Sequence, residues 1–491
     1  MSSREAYLAA RVLNALLRED YGGLAARVTR TRDGVGLTLA DGRWVRLRPG
    51  LLFQDFEVAR DESLGLEQVL ETLAEVADPA DAGGVAAFFE ECLAALGALE
   101  LHDEAAHEVL RSGPSYETLA AFLDHPVYPT SRARVGLSEA ELRAYAPEFG
   151  PSFELRWAVV PRELLAPGSA GLPAEVAPFA GEVLFPVHPL AVPKVRRIDG
   201  VRVLDAAAVT VRPTLSMRTV EVSPRLHLKL PIPVSTLGVR NRRSLKPGTL
   251  ADGARAELLL RELAGPDVVP ADEQTYAETG DEHLAWMVRR LPEGKIVPVA
   301  ALNAPGVLAE LGDVLPAYLR LLLRWNVRLF VRHGVALEAH QQNLALLFAP
   351  DGRMRLLVKD NDGLLASPSR LRASGVEVPD FADERLLNDD PHALADVFVT
   401  ITLHLAAASV AFGALPHAQA AGLLRDTLAE ALDEYGDDPM ARLLRARTLD
   451  AARLTGKSMV TAGTLVAKER SGARDINKFY GTSGPNYLRR A

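Results

Sequence analysis

Polar residues that could take part in catalysis or binding interrupt two apolar runs in the stretch from Arg332 to Gly363. Glu338, His340 and Gln342 stand between Val-Ala-Leu on one side and Leu-Ala-Leu-Leu-Phe on the other. An extended backbone has a period of two and would place these three side chains on one face. Titratable and polar groups gathered in this way favour a functional site over an isolated core histidine.

Two possible metal ligands belong to the same stretch. Asn343 opens one predicted strand and Asp360 closes the next, with a turn at 350–352 between the strands. An amide oxygen and a carboxylate suit a magnesium ion on nucleotide phosphates, because this ion keeps several waters and takes few protein ligands. We therefore expect Asp360 to be a metal ligand and not a structural partner of Lys359 or Arg355. The alternative is a buried polar network within a hairpin.

A second polar cluster lies where short Val- and Leu-rich runs, broken by prolines, predict a mixed or antiparallel sheet from 155 to 240. Its members are Ser216, Arg218, Thr219, Lys229, Thr236 and Arg240. Cations that converge with small hydroxyls are typical of a phosphate and carboxylate site, since arginine forms bidentate carboxylate contacts and lysine acts as a point charge. Strand-face charges in solvent are the alternative.

A third cluster occupies the loop at 123–138, where two prolines three apart hold the backbone extended. His125, Arg132 and Arg134 follow one another closely, and Gly136 permits a close backbone approach. This composition predicts an anion-binding loop or, equally, a surface turn with solvated arginines.

The elements that must position these clusters follow from periodicity. Apolar residues at helical spacing predict an amphipathic first helix, and an Asp-Gly pair predicts a hairpin after it. The predicted helices are 3–20, 64–77, 83–111, 251–264 and 305–332, with a strand at 283–291 and further helices beyond 390.

Composition excludes several classes of protein. With 491 residues, the chain is long enough for roughly two to four domains. A net charge of −9 gives no general attraction to nucleic acid or to an anionic membrane. The single cysteine, Cys92, excludes an internal disulfide and a cysteine-held metal cluster, and no signal peptide or common phosphate-binding loop is present. We expect a cytoplasmic enzyme that binds neither nucleic acid nor membrane.

Five motifs in order resemble the IucA/IucC family of siderophore synthetases. The family pattern HPxHPxxKxRxG corresponds to residues 125–136, and Ser-Met-Arg-Thr lies at 216–219. The other three are Lys followed by Thr-x-x-x-Arg at 229–240, Glu-Ala-His-Gln-Gln-Asn at 338–343 and Lys-Asp-Asn-Asp-Gly at 359–363. The resemblance extends over about 115–370.

The resemblance implies an α+β fold shaped like a cupped hand. It divides the chain into a short thumb (1–112), β-rich fingers (113–288) and a palm with C-terminal helices (289–491). It also implies a homodimer that uses ATP and Mg²⁺ to adenylate a polycarboxylate such as citrate. Capture of that acyl group by an amine or alcohol would give an amide or ester and release AMP and pyrophosphate.

The resemblance also assigns roles by position. The residues expected at the nucleotide are Ser216, Arg218, Thr219, Lys229, His125, Tyr128, Arg132, Glu338 and Gln342. The residues expected at the acid are Thr236, Arg240 and His340, and those expected at the metal are Asn343 and Asp360. His340, Arg240 and Lys229 would carry the catalysis.

Two positions depart from the family pattern. Tyr128 replaces the second histidine of HPxHP, and Arg132 replaces the lysine. A tyrosine hydroxyl can still donate to a phosphate, so we expect Tyr128 to do so.

Two other functions fit parts of the sequence. A His-Gly pair followed by Asn343 and Asp360 loosely matches the residue order of kinase-like phosphotransferases, although the catalytic Asp and the Gly-rich loop are missing. A carboxylate- or siderophore-binding protein that has lost catalysis is the second alternative. A kinase would leave ADP, whereas the ligase would leave AMP.

Overall fold

The computed structural model describes residues 2–32, 34–176, 183–473 and 479–489. Helices and mainly antiparallel sheets make an α+β fold, which confirms the predicted fold class.

The N-terminal region packs three helices against a four-stranded antiparallel sheet. The helices are α1 (Ser3–Arg18), α2 (Leu66–Val76) and α3 (Ala82–Arg111). The strands are β1 (Val28–Thr31), β2 (Gly34–Thr38), β3 (Trp44–Pro49) and β4 (Phe56–Val58). The Ser2 hydroxyl caps α1 by accepting from the Glu5 amide at 3.1 Å, and the predicted stripe of Leu8, Val12 and Leu16 is buried.

The middle region forms a seven-stranded antiparallel sheet in the order β11-β12-β9-β8-β7-β5-β6. The strands are β5 (Phe153–Val159), β6 (Leu184–Val187), β7 (Arg202–Pro213), β8 (Thr219–Ser223), β9 (Leu226–Lys229), β11 (Asp272–Glu278) and β12 (Ala285–Arg290). The accompanying helices are α4 (Tyr116–Ala121), α5 (Glu139–Tyr145), α6 (Val192–Val195) and α7 (Thr249–Ala264). Lys229 closes the central strand β9 and opposes Thr219 on β8.

A four-stranded sheet in the order β10-β16-β15-β13 carries the predicted hairpin. The strands are β10 (Val268–Pro270), β13 (Lys295–Pro298), β15 (Leu344–Phe348) and β16 (Met354–Val358), and β14 (Val335–Leu337) pairs with β17 (Leu364–Ala366) beside them. Gly352, with φ of 78°, makes the turn between β15 and β16. Asp360 has a φ of 61° and turns the chain away after β16.

Helices dominate the remainder. They are α8 (Val307–Leu311), α9 (Leu315–Arg328), α10 (Pro368–Ala373), α11 (Pro391–Val397), α12 (Ser409–Ala414), α13 (His417–Asp433), α14 (Pro439–Thr448) and α15 (Lys468–Ser471). π-helical segments span Leu329–His333, Phe398–Ala408 and Thr461–Leu465, and β18 (Arg453–Gly456) pairs with β19 (Thr482–Pro485).

Two local predictions are wrong. The predicted helix at 305–332 is interrupted between α8 and α9, where Gly312 takes a φ of 77° that a helix cannot continue. Residues 338–343 are not a strand: the His340 amide donates to the Glu338 carbonyl at 3.1 Å, so the chain turns there. The polar side chains consequently sit on a loop between β14 and β15.

Among the described residues, two helices are long and apolar enough to span a bilayer by length and composition alone, Pro79–Arg111 and Pro391–Ala414. In the second, 78% of the apolar window is buried inside the fold, which is how a core helix packs.

Candidate active site

A cavity of about 720 Å³ lies where the N-terminal region, the seven-stranded sheet and the C-terminal helices meet. Its walls come from segments far apart in sequence: the 120–134 loop, the 215–218 turn, the 236–243 loop, the 338–343 loop, residues 360–363, the 401–413 helix and residues 457–459. Most of the predicted site residues therefore share one space. Those on its walls are His125, Arg132, Ser216, Arg218, Thr236, Glu338, His340, Gln342, Asn343 and Asp360.

One wall of the cavity is basic. Arg218 donates to the Ser244 carbonyl at 2.8 Å, which brings it close to Arg243. Burial and the charge of Arg218 lower the pKa of Arg243 to about 9. The Arg243 side chain forms no hydrogen bond or ion pair within the described part of the chain, and its buried Nε lacks an acceptor. Two adjacent guanidinium groups with unused donors make this wall a site for an anion.

Opposite charges lie beside that wall. The Lys229 ammonium, only 1% exposed, contacts the Asp360 carboxylate and lies 3.4 Å from Oδ2 of Asp362. Arg289 donates to Asp360 at 3.2 Å and also pairs with the buried Glu273. Burial raises the pKa of the Asp360 carboxyl, but the charges of Lys229 and Arg289 outweigh it and hold that pKa far below its usual range.

This network corrects two expectations. Lys229 lies beneath the cavity wall with its ammonium committed to carboxylates, so it cannot contact a triphosphate directly in this conformation. Asp360 pairs with Lys229 and Arg289, whereas Lys359 and Arg355 pair with Glu117 and Asp351. Thr219, 3% exposed on β8, supports the Ser216 turn through its amide and likewise lies outside the cavity.

Two neutral histidines face the cavity in the same manner. Nδ1 of His340 accepts from the Gln342 amide at 3.3 Å, and Nδ1 of His125 accepts from the Tyr128 amide at 2.9 Å. Burial lowers the pKa of His340 to about 4 and that of His125 to about 3. With Nδ1 accepting, each neutral ring carries its proton on Nε2 and can donate a hydrogen bond.

The 125–136 loop keeps His125 and Arg132 at the cavity but turns Tyr128 away from it. The Tyr128 hydroxyl is fully buried, 3.3 Å from the Thr464 hydroxyl, so it cannot donate to a phosphate here. Arg132 donates to Asp124 at 3.0 Å and approaches His102 at 3.3 Å. The prediction for Tyr128 is corrected accordingly, and Arg132 is held as part of the cavity wall.

Arg240 is also displaced from its predicted place. Its guanidinium donates to the Ala462 carbonyl at 3.3 Å, and its amide donates to the Gly463 carbonyl at 3.1 Å. Arg240 does not line the cavity, whereas Arg243 does. Of these two arginines, Arg243 is therefore the one that can meet a ligand in the cavity.

Sequence reasoning missed several cavity residues, among them Arg243, Asp362 and Lys457. Arg243 could not be singled out from the sequence, because the run Arg-Asn-Arg-Arg at 240–243 contains three arginines and does not indicate which one faces the cavity. Asp362 could have been found, since it belongs to the same motif as Asp360. Lys457, which lies 3.6 Å from Glu338, had no sequence signal because it comes from a distant segment.

The residues present fit a magnesium ion shared with phosphates. The described contacts of Asp360 use Oδ1 and those of Asp362 use Oδ2, so each keeps a second oxygen, and Asn343 adds an amide. Oxygen donors of this type suit magnesium. In the ranges that the structure describes, no three His, Cys, Asp or Glu side chains form a closed metal cage.

Comparison with known families gives two matches. Residues 115–304 match the profile of the IucA / IucC family, and residues 315–468 match a profile described as Ferric iron reductase FhuF-like transporter. The second region contains no cysteine, since Cys92 lies outside it. It therefore has no thiolate ligand for an iron–sulfur cluster.

Several relatives by sequence carry names from siderophore biosynthesis. The chain is 25% identical to the rhizobactin siderophore biosynthesis protein RhbC of Rhizobium meliloti over 54% of this chain and 57% of that protein. It is 24% identical to staphyloferrin B synthase of Staphylococcus aureus over 61% and 62%. It is also 24% identical to the L-2,3-diaminopropanoate–citrate ligase of that organism over 50% and 53%. The chain thus spans about half of the length of the curated relatives it matches.

Solved structures share the fold over nearly the whole chain. The petrobactin biosynthesis protein AsbB from Bacillus anthracis superposes with a TM-score of 0.76 at 17% identity, covering 100% of this chain and 96% of that one. ATP-bound aerobactin synthetase IucA from Klebsiella pneumoniae gives 0.73 at 18% identity, covering 98% and 99%.

Proposed function

We propose, since this chain belongs to the IucA/IucC family across residues 115–304, that it is an AMP-forming ligase of siderophore biosynthesis. It would join a polycarboxylate such as citrate to an amine or alcohol in the cytoplasm. A carboxylate oxygen attacks the α-phosphorus of ATP and pyrophosphate leaves. The acyl carbon then bonds to the nitrogen or oxygen of the co-substrate, and AMP leaves.

The observation that carries this proposal is the pairing of Arg218 and Arg243 on one wall of a cavity that also holds Asp360 and Asn343. A phosphate chain and a carboxylate are both anions, and they repel one another unless cations neutralise them. Two adjacent arginines with buried, unused Nε donors supply that neutralisation without any movement. The ATP-bound relative IucA, which has the same fold, supports the nucleotide assignment.

His340 is placed to stabilise charge that develops during the attack. It is neutral at pH 7, since its pKa is about 4, and its Nε2–H is available to an oxygen inside the cavity. Lys457 lies nearby and adds positive potential, because its charge contributes to lowering the pKa of His340. We infer that His340 donates to the oxygen that gains charge, while Arg243 orients the acid.

Asn343, Asp360 and Asp362 would hold the magnesium ion. When bound, the ion neutralises phosphate charge and polarises the phosphoryl oxygens. The roles of Ser216 and Arg218 remain as the resemblance implies, at the phosphates. Thr236 lines the same cavity and stays assigned to the acid.

Incubation with ATP, magnesium, citrate and hydroxylamine tests the proposal, because hydroxylamine captures activated acyl groups irrespective of the natural co-substrate. We expect citrate-dependent hydroxamate together with equal amounts of AMP and pyrophosphate. ADP as the sole nucleotide product would instead identify a phosphotransferase. Citrate binding by calorimetry without any turnover would identify a binding protein that has lost catalysis.

A further inference from the structure

One end of the cavity differs in chemistry from the basic wall. We call it the amide end. It is formed by Val299, Ala300, Asn303, Gln341, Ile401, Leu405, Ser409, Val410, Phe412 and Gly413. The amide of Ala300 donates to the Gln341 carbonyl at 3.0 Å, and Asn303 Nδ2 donates to the Ser409 carbonyl at 3.1 Å. These bonds hold the three segments of the amide end together.

Two buried acceptors at the amide end lack donors. Oδ1 of Asn303 and Oε1 of Gln341 have no hydrogen-bond partner among the described residues. The orientation of the Asn303 amide is fixed, because its Nδ2 needs the Ser409 carbonyl as acceptor. Gly413 makes room for this side chain, since a Cβ there would lie 2.1 Å from Asn303 Nδ2. A buried acceptor without a donor costs free energy, so these oxygens call for a ligand that donates.

The amide end also lacks positive charge. Its described lining residues include no lysine or arginine, in contrast to Arg218 and Arg243 on the basic wall. A carboxylate buried here would therefore have neither an ion-pair partner nor a guanidinium fork. The side chains of Val299, Ile401 and Leu405 instead offer an apolar surface suited to methylene groups.

We propose that the amide end binds the nucleophilic co-substrate, and that this co-substrate is an alkyl amine or amino alcohol without a carboxylate near the bound nitrogen. This inference rests on the proposed function and narrows its second substrate. N–H groups of the co-substrate donate to Asn303 and Gln341, and its methylene chain packs on the apolar wall.

The chemistry of the second half-reaction agrees with this arrangement. Only the neutral amine is nucleophilic, and apolar surroundings favour loss of the ammonium proton. Neutral amide oxygens accept from the free base without stabilising the ammonium as strongly as a carboxylate would. The nitrogen bonds to the acyl carbon, the bond from that carbon to the AMP oxygen breaks, and one N–H proton passes to solvent.

Matched pairs of co-substrates that differ by a single carboxylate provide the test. The pairs are 1,5-diaminopentane with L-lysine, 1,4-diaminobutane with L-ornithine and ethanolamine with L-serine, each assayed with citrate and ATP by mass spectrometry of the product. We expect the carboxylate-free member to be preferred by about 100-fold in kcat/KM in the accepted pair. Preference for the amino acids, or use of none of the six, overturns the inference.

Two variants locate the effect at the amide end. Asn303→Leu and Gln341→Leu each remove one acceptor, and we expect the KM for the amine to rise about 10-fold while the KM values for ATP and citrate change less than about 2-fold. Equal changes in all three KM values would show a structural role only and would count against the inference. If hydroxylamine yields no hydroxamate, the proposed function fails; if it does and the amino acids are preferred, only this inference fails.

Discussion

Arg240 and Arg243 stand three positions apart in one loop but serve different surfaces: Arg243 lines the cavity, whereas Arg240 donates to the Ala462 carbonyl at 3.3 Å. The two residues form a natural control pair of identical chemistry. We expect Arg243→Ala to reduce hydroxamate formation by about 10²- to 10³-fold, because it removes a preorganised charge from the acid. Arg240→Ala should cost less than about 10-fold and should mainly lower the melting temperature. If Arg240→Ala reduced hydroxamate formation more than Arg243→Ala, Arg240 and not Arg243 would be the residue that binds the acid.

His340 and Arg243 should act as one unit on the acid. Groups that stabilise the same transition state lose less in combination than the product of their separate losses. We therefore expect His340→Ala to approach the loss of Arg243→Ala, and the double variant to be little worse than either. Single-turnover kinetics with saturating ATP measures this, and strictly multiplicative losses would separate the two roles.

Asp360 combines a structural role with the proposed metal role. Asp360→Asn removes the carboxylate charge that the buried Lys229 contacts. Removing one partner of a fully buried ion pair costs about 3–5 kcal/mol, and we expect a smaller loss here because Asp362 still lies 3.4 Å from the Lys229 ammonium. The free energy of unfolding and turnover should therefore both fall. Asp362→Asn is the matched control: its described contact to Lys229 is longer, 3.4 Å, so turnover should fall with a smaller loss of stability. Urea titrations and the hydroxamate assay report the two effects separately, and an unchanged Asp360→Asn stability would contradict the ion-pair assignment.

Tyr128 should matter to stability more than to nucleotide use. Its hydroxyl is buried beside Thr464, whose own hydroxyl donates to Glu91 at 2.9 Å. Tyr128→Phe should cost about 1 kcal/mol through the lost hydrogen bond. The KM for ATP should change less than about 2-fold. A large rise in the KM for ATP with unchanged stability would instead show that the Tyr128 hydroxyl contacts a phosphate.

Four buried histidines that lie outside the cavity make stability dependent on pH. Burial is the main reason that their pKa values lie below the ordinary value of 6.5. The pKa is about 4 for His102 and about 3 for His188, His227 and His404. The unfolded chain then binds more protons than the folded protein between about pH 6.5 and 3. Their contribution to the free energy of unfolding is fully present above about pH 6.5 and is lost as the pH falls from about 6.5 towards 3.

At pH 5.5 each of these histidines costs about 1.4 kcal/mol, or about 6 kcal/mol for the four together. Melting curves between pH 7.5 and 5 should show a steep decline. His404→Phe should flatten it, because it removes one of the titrating groups, whereas substitution of the exposed His107 should not. A melting temperature that stays constant to pH 5 would contradict the prediction.

The fold was predictable where local pattern and packing agree. The α1 stripe and the β15–β16 hairpin follow from apolar spacing and a Pro-Asp-Gly turn, and neither depends on distant residues. The 338–343 segment has a strand-like pattern but lies on a loop, because the amides of His340 and Asn343 donate to carbonyls of the segment itself, those of Glu338 and His340. Periodicity cannot distinguish these two cases.

The site was predictable as a set of motifs but not as a set of contacts. Ser216, Arg218, His340 and Asp360 meet in one cavity although the chain separates them by up to about 140 residues. Which of two nearby arginines faces inward is decided by the path of the backbone, and the carbonyls at 462–463 that hold Arg240 come from another region. Lys457 reaches the cavity for the same reason, and no motif marks it.

The segment at 457–464 has a consequence for the growing polypeptide on the ribosome. Glu19 in the N-terminal region accepts from the amides of Val460 at 3.0 Å and Thr461 at 2.8 Å, and Thr464 accepts from the Val239 amide at 3.2 Å. During synthesis, the carboxylate of Glu19 and the 236–243 loop therefore lack these partners until residues 460–464 have emerged. Synthesis of the 457–464 segment, and not completion of any earlier region, sets the moment at which the cavity can close.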